Sequence, residues 1–226
     1  MRITFLGHAC LYVDTGAFKL LVDPFITGNE KARDKVDVEQ LLPDYILVTH
    51  AHQDHTLDVD SIAGRTGATI ISNFEIATFY QKKGHSVHPM NHGGSRKFDF
   101  GSLKYVQAIH TSSFPDGSYG GQPGGFVLTA SGKSVYIAGD TALTMDMKLI
   151  PLDFQLSLAV LPIGDNFTMG IADAVKAADF VGCQKVLGYH YDTFSYIEID
   201  HQQAREAFRK AGKLLYLPGI GESVEL

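Results

Sequence analysis

The alternation of apolar and polar positions predicts a strand-rich first half of the chain. Runs of about four to eight residues, apolar or alternating and bounded by turn residues, are typical of strands. Such runs occur at residues 3–6, 10–13, 18–22, 45–48, 68–72, 97–100, 103–109, 125–129 and 134–138. Helical spacing predicts a short helix at 58–64 and a longer one at 74–83, which ends before Gly84.

The second half alternates between strands and helices. Apolar runs predict strands at 156–161, 186–189 and 214–217, and helices are predicted at 171–181 and 201–211. The helix at 171–181 has one apolar face, formed by Ile171, Ala174, Val175, Ala178 and Val181. Two groups of strands interleaved with helices favour a layered α/β sandwich. Periodicity alone does not distinguish one sheet from two.

Composition narrows the class of protein. The 226 residues, 45% hydrophobic and 19% charged, suit one globular domain over residues 1–226. A net charge of −6 without a lysine or arginine cluster argues against a nucleic-acid partner. No run approaches the roughly 20 apolar residues that span a membrane. The N-terminus lacks the pattern of a secretory signal, so we expect a cytoplasmic protein whose Cys10 and Cys183 are reduced core thiols.

The segment T-H-A-H-Q-D-H concentrates the candidate chemistry. It begins at Thr49, directly after a predicted strand, and contains four potential metal ligands: His50, His52, Asp54 and His55. Alternation places the first two histidines on the same side, where both can reach one ion. The aspartate and the last histidine lie past the turn, within reach of a second ion. Imidazole and carboxylate ligands suit zinc, manganese or iron.

Further candidates lie just beyond the ends of other predicted strands, where open α/β sheets place their sites. His110, Asp140 and His190 each follow such a strand, and we interpret all three as ligands of the same centre. His8 follows the first strand and is a candidate for a role beside the centre.

Four other histidines are not expected to bind metal. His85, His88 and His92 have spacing that resembles a metal motif, but no predicted helix brings them onto one face, and Pro89 interrupts them. His201 opens a helix in a polar stretch and is expected to be solvated.

The ordered motifs resemble the metallo-β-lactamase superfamily. They are Asp23 in L-V-D-P-F, the T-H-A-H-Q-D-H segment, His110, Asp140 in A-G-D-T, and His190. The segments G-H-A-C, P-I-G-D-N-F-T-M-G and Y-H-Y-D-T-F resemble its metal-dependent hydrolase branch, which is similar to ascorbate-6-phosphate lactonases and, more distantly, to N-acyl-phosphatidylethanolamine phospholipase D. The resemblance implies a four-layer αββα sandwich with the site at one edge of two sheets.

The resemblance also implies two divalent ions, with zinc expected first and manganese, iron or nickel as alternatives. The ligands that it implies for the first ion are His50, His52 and His110. Those for the second are Asp54, His55 and His190. Asp140 would bridge the ions, and Asp23 would orient a ligand histidine. Two departures from the family pattern, Ala51 for a frequent glycine and Asp192 for a frequent asparagine, bear on substrate preference.

The predicted reaction is attack by metal-bound hydroxide on a small anionic ester, lactone or phosphodiester. A metal ion lowers the pKa of bound water to roughly 7, and the net positive centre favours an anionic substrate. Asp54 and His8 are the candidate catalytic residues, the former orienting the nucleophile. The alternatives are a nuclease or phospholipase D-like phosphodiesterase, a catalytically inactive metal-binding protein, and a di-iron redox protein. We expect no membrane partner, and a homo-oligomer would be ordinary.

Two loops have open interpretations. Residues 112–125 are either a mobile substrate loop with Phe114 and Tyr119 as contact rings or a plain connection. In the loop before the helix at 171–181, Asp165, Asn166 and Met169 are interpreted as lining the pocket, and the loop also suits a strand-to-helix turn with Thr168 as the N-cap; both interpretations can hold.

Overall fold

Two seven-stranded sheets organise the molecule, which the computed structural model describes over residues 1–226. The first sheet has the spatial order β14 (Ser223–Glu225), β1 (Arg2–Gly7), β2 (Cys10–Asp14), β3 (Lys19–Val22), β4 (Tyr45–Leu47), β5 (Thr69–Asn73) and β6 (Val87–Met90). The second has the order β13 (Leu214–Tyr216), β12 (Lys185–Tyr189), β11 (Leu158–Pro162), β10 (Lys133–Ile137), β9 (Gly124–Ala130), β8 (Gly101–Gln107) and β7 (Ser95–Phe98).

Six α-helices accompany the sheets: α1 (Gln53–Thr56), α2 (Val59–Thr66), α3 (Phe74–Lys82), α4 (Ile150–Asp153), α5 (Ile171–Phe180) and α6 (His201–Lys210). Three short 3-10 helices cover Val38–Gln40, Met145–Leu149 and Ser195–Ile197. None of the helices is long and apolar enough to cross a membrane.

Side-chain alternation along the strands separates the layers. In β12, Leu187 and Tyr189 join the core between the two sheets, whereas Val186 joins the core under α5 and α6. In β4, Leu47 faces the other sheet and Ile46 packs with α2 and α3. Successive strand residues point to opposite faces, so each sheet is apolar on both sides. The predicted four-layer αββα sandwich is confirmed.

Strand direction brings the candidate residues to one edge of the sandwich. The neighbours β3 to β6 are parallel, as are β10 to β13, and the remaining neighbours are antiparallel. The strands β1 and β4 therefore end at the same edge of the first sheet, and β8, β10 and β12 end at the same edge of the second. The loops after β4, β8, β10 and β12, together with helix α1, carry all the predicted ligands, and His8 directly follows β1.

The structure corrects several predicted boundaries. The strand predicted at 97–100 lies at Ser95–Phe98 and is followed by a tight turn, and the helix predicted at 58–64 runs from Val59 to Thr66. Strands β6 and β14 were not predicted, because both are short edge strands and β6 contains Pro89. A proline is tolerated at a sheet edge, where its missing N–H costs no ladder bond.

Candidate metal centre

Three histidines form one half of the centre. The Nε2 of His50 lies 3.0 Å from the Nδ1 of His52. The ring centroid of His110 is 5.1 Å from that of His50 and 5.0 Å from that of His52. One nitrogen from each histidine can therefore converge on a single point. The loop between β4 and α1 supplies two of them, and the loop after β8 supplies the third.

The second half combines residues from both sheets. Asp54, on α1, approaches within 3.8 Å of the Nε2 atoms of both His55 and His190 through its Oδ2 atom. His8, at the end of β1, belongs to the same cluster, with its ring centroid 4.1 Å from that of His190. The four residues lie close enough to share one ion.

Asp140 lies between the two halves. Its Oδ2 is 2.9 Å from the Nε2 of His190 and 3.4 Å from that of His55. The same oxygen is 3.6 Å from the Nε2 of His110 and 4.0 Å from that of His50. One carboxylate thus faces histidines of both groups.

Gly139 allows Asp140 to take this position. Its φ is +68°, which is accessible to glycine without a steric penalty. A Cβ atom there would lie 2.8 Å from the carbonyl oxygen of Gly124 and 3.0 Å from the Cβ of Thr49. The A-G-D-T motif therefore needs its glycine to turn the chain out of β10.

The buried carboxylate of Asp23 accepts hydrogen bonds from Thr49 and His55, beside the centre. Its Oδ2 accepts a hydrogen bond from the Nδ1 of His55 at 3.0 Å and from the hydroxyl of Thr49 at 2.7 Å, while its Oδ1 accepts from the Thr49 N–H at 2.8 Å. A histidine that donates through Nδ1 directs Nε2 toward a metal. Asp23 is thus positioned to orient the ring of His55.

His8 contacts the centre through Asp54. Its Nε2 lies 2.9 Å from the Oδ2 of Asp54, and its Nδ1 lies 2.9 Å from the hydroxyl of Thr193. Burial, with a smaller contribution from His190, lowers the pKa of His8 to about 4. The ring is then neutral at pH 7, so Nε2–H donates to the carboxylate and Nδ1 accepts from the hydroxyl. Nothing in the sequence pattern identified Thr193.

The electrostatics of the centre are dominated by burial and by its two carboxylates. Burial lowers the pKa of His50 well below its usual value and also lowers the pKa values of His52 and His110. Burial disfavours charge on His190 as well, but Asp140 and Asp54 together outweigh burial and raise the pKa of His190 to about 9. The same competition raises the pKa of His55 well above its usual range. Both carboxylates therefore attract positive charge into a buried space.

Unpaired buried atoms test whether a metal ion fits. The Nε2 of His55, both ring nitrogens of His190 and the Oδ1 of Asp140 form no hydrogen bond of suitable geometry, although the Nε2 of His190 lies 2.9 Å from the Oδ2 of Asp140. Buried polar atoms without a partner are costly. Imidazole nitrogens and a carboxylate oxygen, aimed at one space, are the donor set of zinc and similar divalent ions. The residues fit such a group.

An open cavity of about 610 Å³ gives access to the centre. His52, Asp54, His110, Asp140 and His190 border it. The other walls come from loop residues, including Thr111, Ser113, Phe167 and Phe194. The two phenylalanines were not predicted, because a single ring in a polar loop has no periodicity that reveals its exposure.

The structure places the loop at 112–125 in contact with the core. Phe114 borders the cavity, but its ring is buried and stacks on Phe79 at a centroid distance of 3.8 Å. Tyr119 is exposed and does not border the cavity. The Ser112 hydroxyl accepts from the Ala51 N–H at 3.1 Å and donates to the Gly120 carbonyl at 3.0 Å. Of the two rings interpreted as contact residues, Phe114 borders the cavity and Tyr119 does not.

The expectation for the loop before α5 is also corrected. Met169 is buried in the core beneath α5, and the residue that caps this helix is Gly170, not Thr168. Asp165 and Asn166 adopt left-handed backbone conformations in a tight turn and do not border the cavity. Phe167, between them and Met169, is the residue that does.

The four remaining histidines and Asp192 have separate partners. His85 pairs with Asp60, the His92 Nε2 donates to the Pro123 carbonyl at 2.9 Å, and the His88 ring contacts Phe98. His201 lies 2.6 Å from the carboxylate of Asp192, which also accepts from the Ile199 N–H. That aspartate therefore shapes its own loop instead of bordering the cavity.

Comparisons with known proteins agree with this geometry. A family model described as a beta-lactamase superfamily domain matches residues 19–191. A UPF0173 metal-dependent hydrolase from Christiangramia forsetii is 65% identical over 226 residues, covering 100% of both chains. The chain belongs to the metallo-β-lactamase superfamily. As in that relative, it is a metal-dependent hydrolase.

More distant members of the superfamily share the whole architecture. A metal-dependent hydrolase from Thermus thermophilus is 45% identical over 212 residues, which cover 94% of this chain and 93% of that one. The solved structure of a metallo hydrolase from the hyperthermophilic archaeon Ignicoccus hospitalis is 32% identical, with a TM-score of 0.90, and the match covers 99% of this chain and 97% of that one.

Proposed function

We propose that this hydrolase works with two divalent ions and cleaves a small ester, lactone or phosphodiester. The observation that carries the proposal is the position of Asp140. Its Oδ2 lies within 4.0 Å of four histidine Nε2 atoms, two on each side. A single carboxylate oxygen with donors on both sides suits a bridge between two ions better than a ligand of one.

The proposed ligands follow the two clusters. His50, His52 and His110 would hold one ion, and Asp54, His55 and His190 the other. Bound divalent ions supply Lewis acidity, which makes water a nucleophile near neutral pH and stabilises the oxygen that gains charge. Zinc is proposed first, since histidine and carboxylate ligands suit it, and manganese, iron or nickel remain alternatives.

Asp54 is the proposed catalytic carboxylate. It borders the cavity, while its Oδ2 is held by buried His8 at 2.9 Å. That contact fixes the side-chain orientation and leaves the remaining lone pairs of the carboxylate free to accept a hydrogen bond from water. His8 is itself buried and does not border the cavity, so we propose it as a positioning residue.

An anionic or strongly polarised scissile group is proposed because the centre would be net positive when loaded. Two divalent ions bring more positive charge than Asp54 and Asp140 remove. A nuclease is the weaker alternative, because no lysine or arginine borders the cavity and phosphate backbones are bound chiefly by such cations.

The test is hydrolysis by protein loaded in turn with zinc and manganese, with metal content measured by mass spectrometry. Bis(p-nitrophenyl) phosphate and p-nitrophenyl butyrate serve as substrates. We expect two ions per chain and turnover of at least one substrate, with a loss of about 1000-fold or more in Asp140→Ala. One ion per chain in the active protein, or full turnover in Asp140→Ala, would contradict the binuclear proposal.

A further inference from the structure

The charged side chains that border the cavity are confined to the metal centre. The charged carboxylates that border it, Asp54 and Asp140, both belong to the metal centre. No lysine or arginine side chain reaches the cavity. A second anionic group on a substrate, away from the ions, would therefore meet no counter-charge.

Two phenylalanine rings are exposed in the same cavity. Phe167 lies in the loop after β11 and is 52% exposed, and Phe194 lies in the loop after β12 and is 40% exposed. The two strands are parallel neighbours, so both loops leave the same edge of the sheet, beside His190. The rings thus stand close to the metal centre and remain open to solvent.

Neighbouring aromatic side chains contact both rings. Phe194 contacts the rings of His8 and Phe25, with centroids at 5.5 Å and 6.3 Å respectively. Phe167 meets Tyr196 edge to face at a centroid distance of 6.3 Å. The buried rings of His8 and Phe25 restrict Phe194 before a ligand binds, so this ring loses less side-chain entropy on binding.

Resting on the proposed function, we propose that Phe167 and Phe194 form the subsite for an apolar group of the substrate. Exposed aromatic rings beside a few polar groups are typical of ligand pockets, and they gain most by covering apolar surface. The substrate class is then a small ester or lactone whose only anionic or polarised group lies at the ions. The rest of the molecule is aromatic or branched aliphatic and carries no charge.

Three carboxylic acids separate the subsite from the metal centre. Each can place one carboxylate at the ions: butyrate has a short apolar tail, 3-phenylpropionate an aromatic tail and glutarate a charged tail. Their dissociation constants are measured by titration calorimetry on the metal-loaded protein. We expect 3-phenylpropionate to bind about tenfold or more tightly than butyrate, and glutarate to bind no more tightly than butyrate.

Phenylalanine variants identify the source of that preference. In Phe167→Ala and Phe194→Ala, the ratio between 3-phenylpropionate and butyrate should fall to about threefold or less, with most of the loss in the affinity for 3-phenylpropionate. Phe74→Ala removes a phenylalanine that is 58% exposed on α3 but does not border the cavity. This control should keep the full ratio.

The outcomes distinguish the subsite from the proposed function. Equal binding of all three acids, tighter binding of glutarate, or no binding to the loaded protein would overturn the subsite. If chelator-treated protein binds all three acids as tightly as loaded protein, the carboxylates do not bind at the ions. That result would count against the metal centre, whereas a ratio that still depends on the two phenylalanines would support the subsite.

Discussion

The backbone N–H of His190 donates a hydrogen bond of 2.7 Å to the carbonyl oxygen of His8. The two residues follow β12 and β1, one in each sheet, and both have left-handed backbones, with φ of +54° and +56°. Such φ values are uncommon outside glycine and mark sites where the surrounding structure compensates for strain. The bond therefore joins the two sheets at the candidate centre and fixes the rings of both histidines beside Asp54.

His8→Ala should weaken metal binding without removing a proposed ligand. The substitution deletes the donor that holds Asp54, and loss of a residue that orients a ligand typically costs about 10- to 100-fold in metal affinity. Competition with a chromophoric chelator measures the effect. His8→Asn should retain more affinity, because asparagine tolerates a positive φ and keeps an N–H donor. Wild-type affinity in His8→Ala would show that Asp54 needs no such support.

Asp23→Asn should also lower metal affinity, by about 10- to 100-fold. The amide can still accept from Thr49 but no longer carries the charge that favours donation by the Nδ1 of His55. The matched control is Asp58→Asn. That buried carboxylate accepts from the backbone N–H groups of Ile26 and Thr27 and contacts no histidine. We expect the control to reduce stability while metal affinity stays within about twofold. Equal losses of affinity in both variants would indicate a general structural effect.

Ser112→Ala should destabilise the loop at 112–125. The hydroxyl satisfies the buried N–H of Ala51 and the carbonyl of Gly120, and leaving such groups unpaired costs about 1–3 kcal/mol. Urea unfolding of the metal-loaded protein measures the loss. Ser113→Ala, at an exposed neighbour, should change the free energy of unfolding by less than about 0.5 kcal/mol. Similar values for the two variants would show that these hydrogen bonds contribute nothing to stability.

The metal-free protein should be most stable near pH 6.5. Burial lowers the pKa of His8 from 6.5 in the unfolded chain to about 4 in the folded protein. Between pH 4 and pH 6.5 the unfolded chain therefore binds more protons, and stability rises with pH. The folded-state pKa of His190 is raised to about 9, so the folded chain binds more protons above pH 6.5 and stability falls as pH rises further.

Urea midpoints of chelator-treated protein between about pH 4 and 9 test this dependence. In the loaded protein, bound ions rather than a proton on His190 would balance the negative charge of Asp140. The loss of stability above pH 6.5 should therefore be smaller in the loaded protein. A metal-free stability that rises steadily through pH 9 would contradict the raised pKa of His190.

The sequence identified the candidate ligands because their positions depend on local pattern. A buried strand has a recognisable apolar run, and His110, Asp140 and His190 each follow one. Parallel strands end at one edge of a sheet, so side chains placed after such strands lie together once the fold forms. The dense T-H-A-H-Q-D-H segment needs no tertiary information to stand out.

The local sequence pattern did not predict the directions of side chains in irregular turns. For the segment before α5, the sequence suggested Met169 as a pocket residue and Thr168 as the helix cap. The helix begins directly after Gly170, so Met169 enters the core and Phe167 faces the cavity. A shift of one residue decides which side chain meets solvent in an irregular turn. Sequence periodicity carries no such register outside helices and strands.

The sequence by itself determined most strands and helices, the strand ends that carry the candidate residues and the residue types available there, whereas the four layers followed only from the family resemblance. Only the tertiary structure decided which atoms meet: the Asp140 oxygen among four histidines, His8 on Asp54, and two phenylalanines in one cavity. These contacts join segments from different strands and, for His8 and His190, from different sheets. Their geometry depends on how the two sheets pack, because the periodicity within one strand orients side chains only relative to that strand.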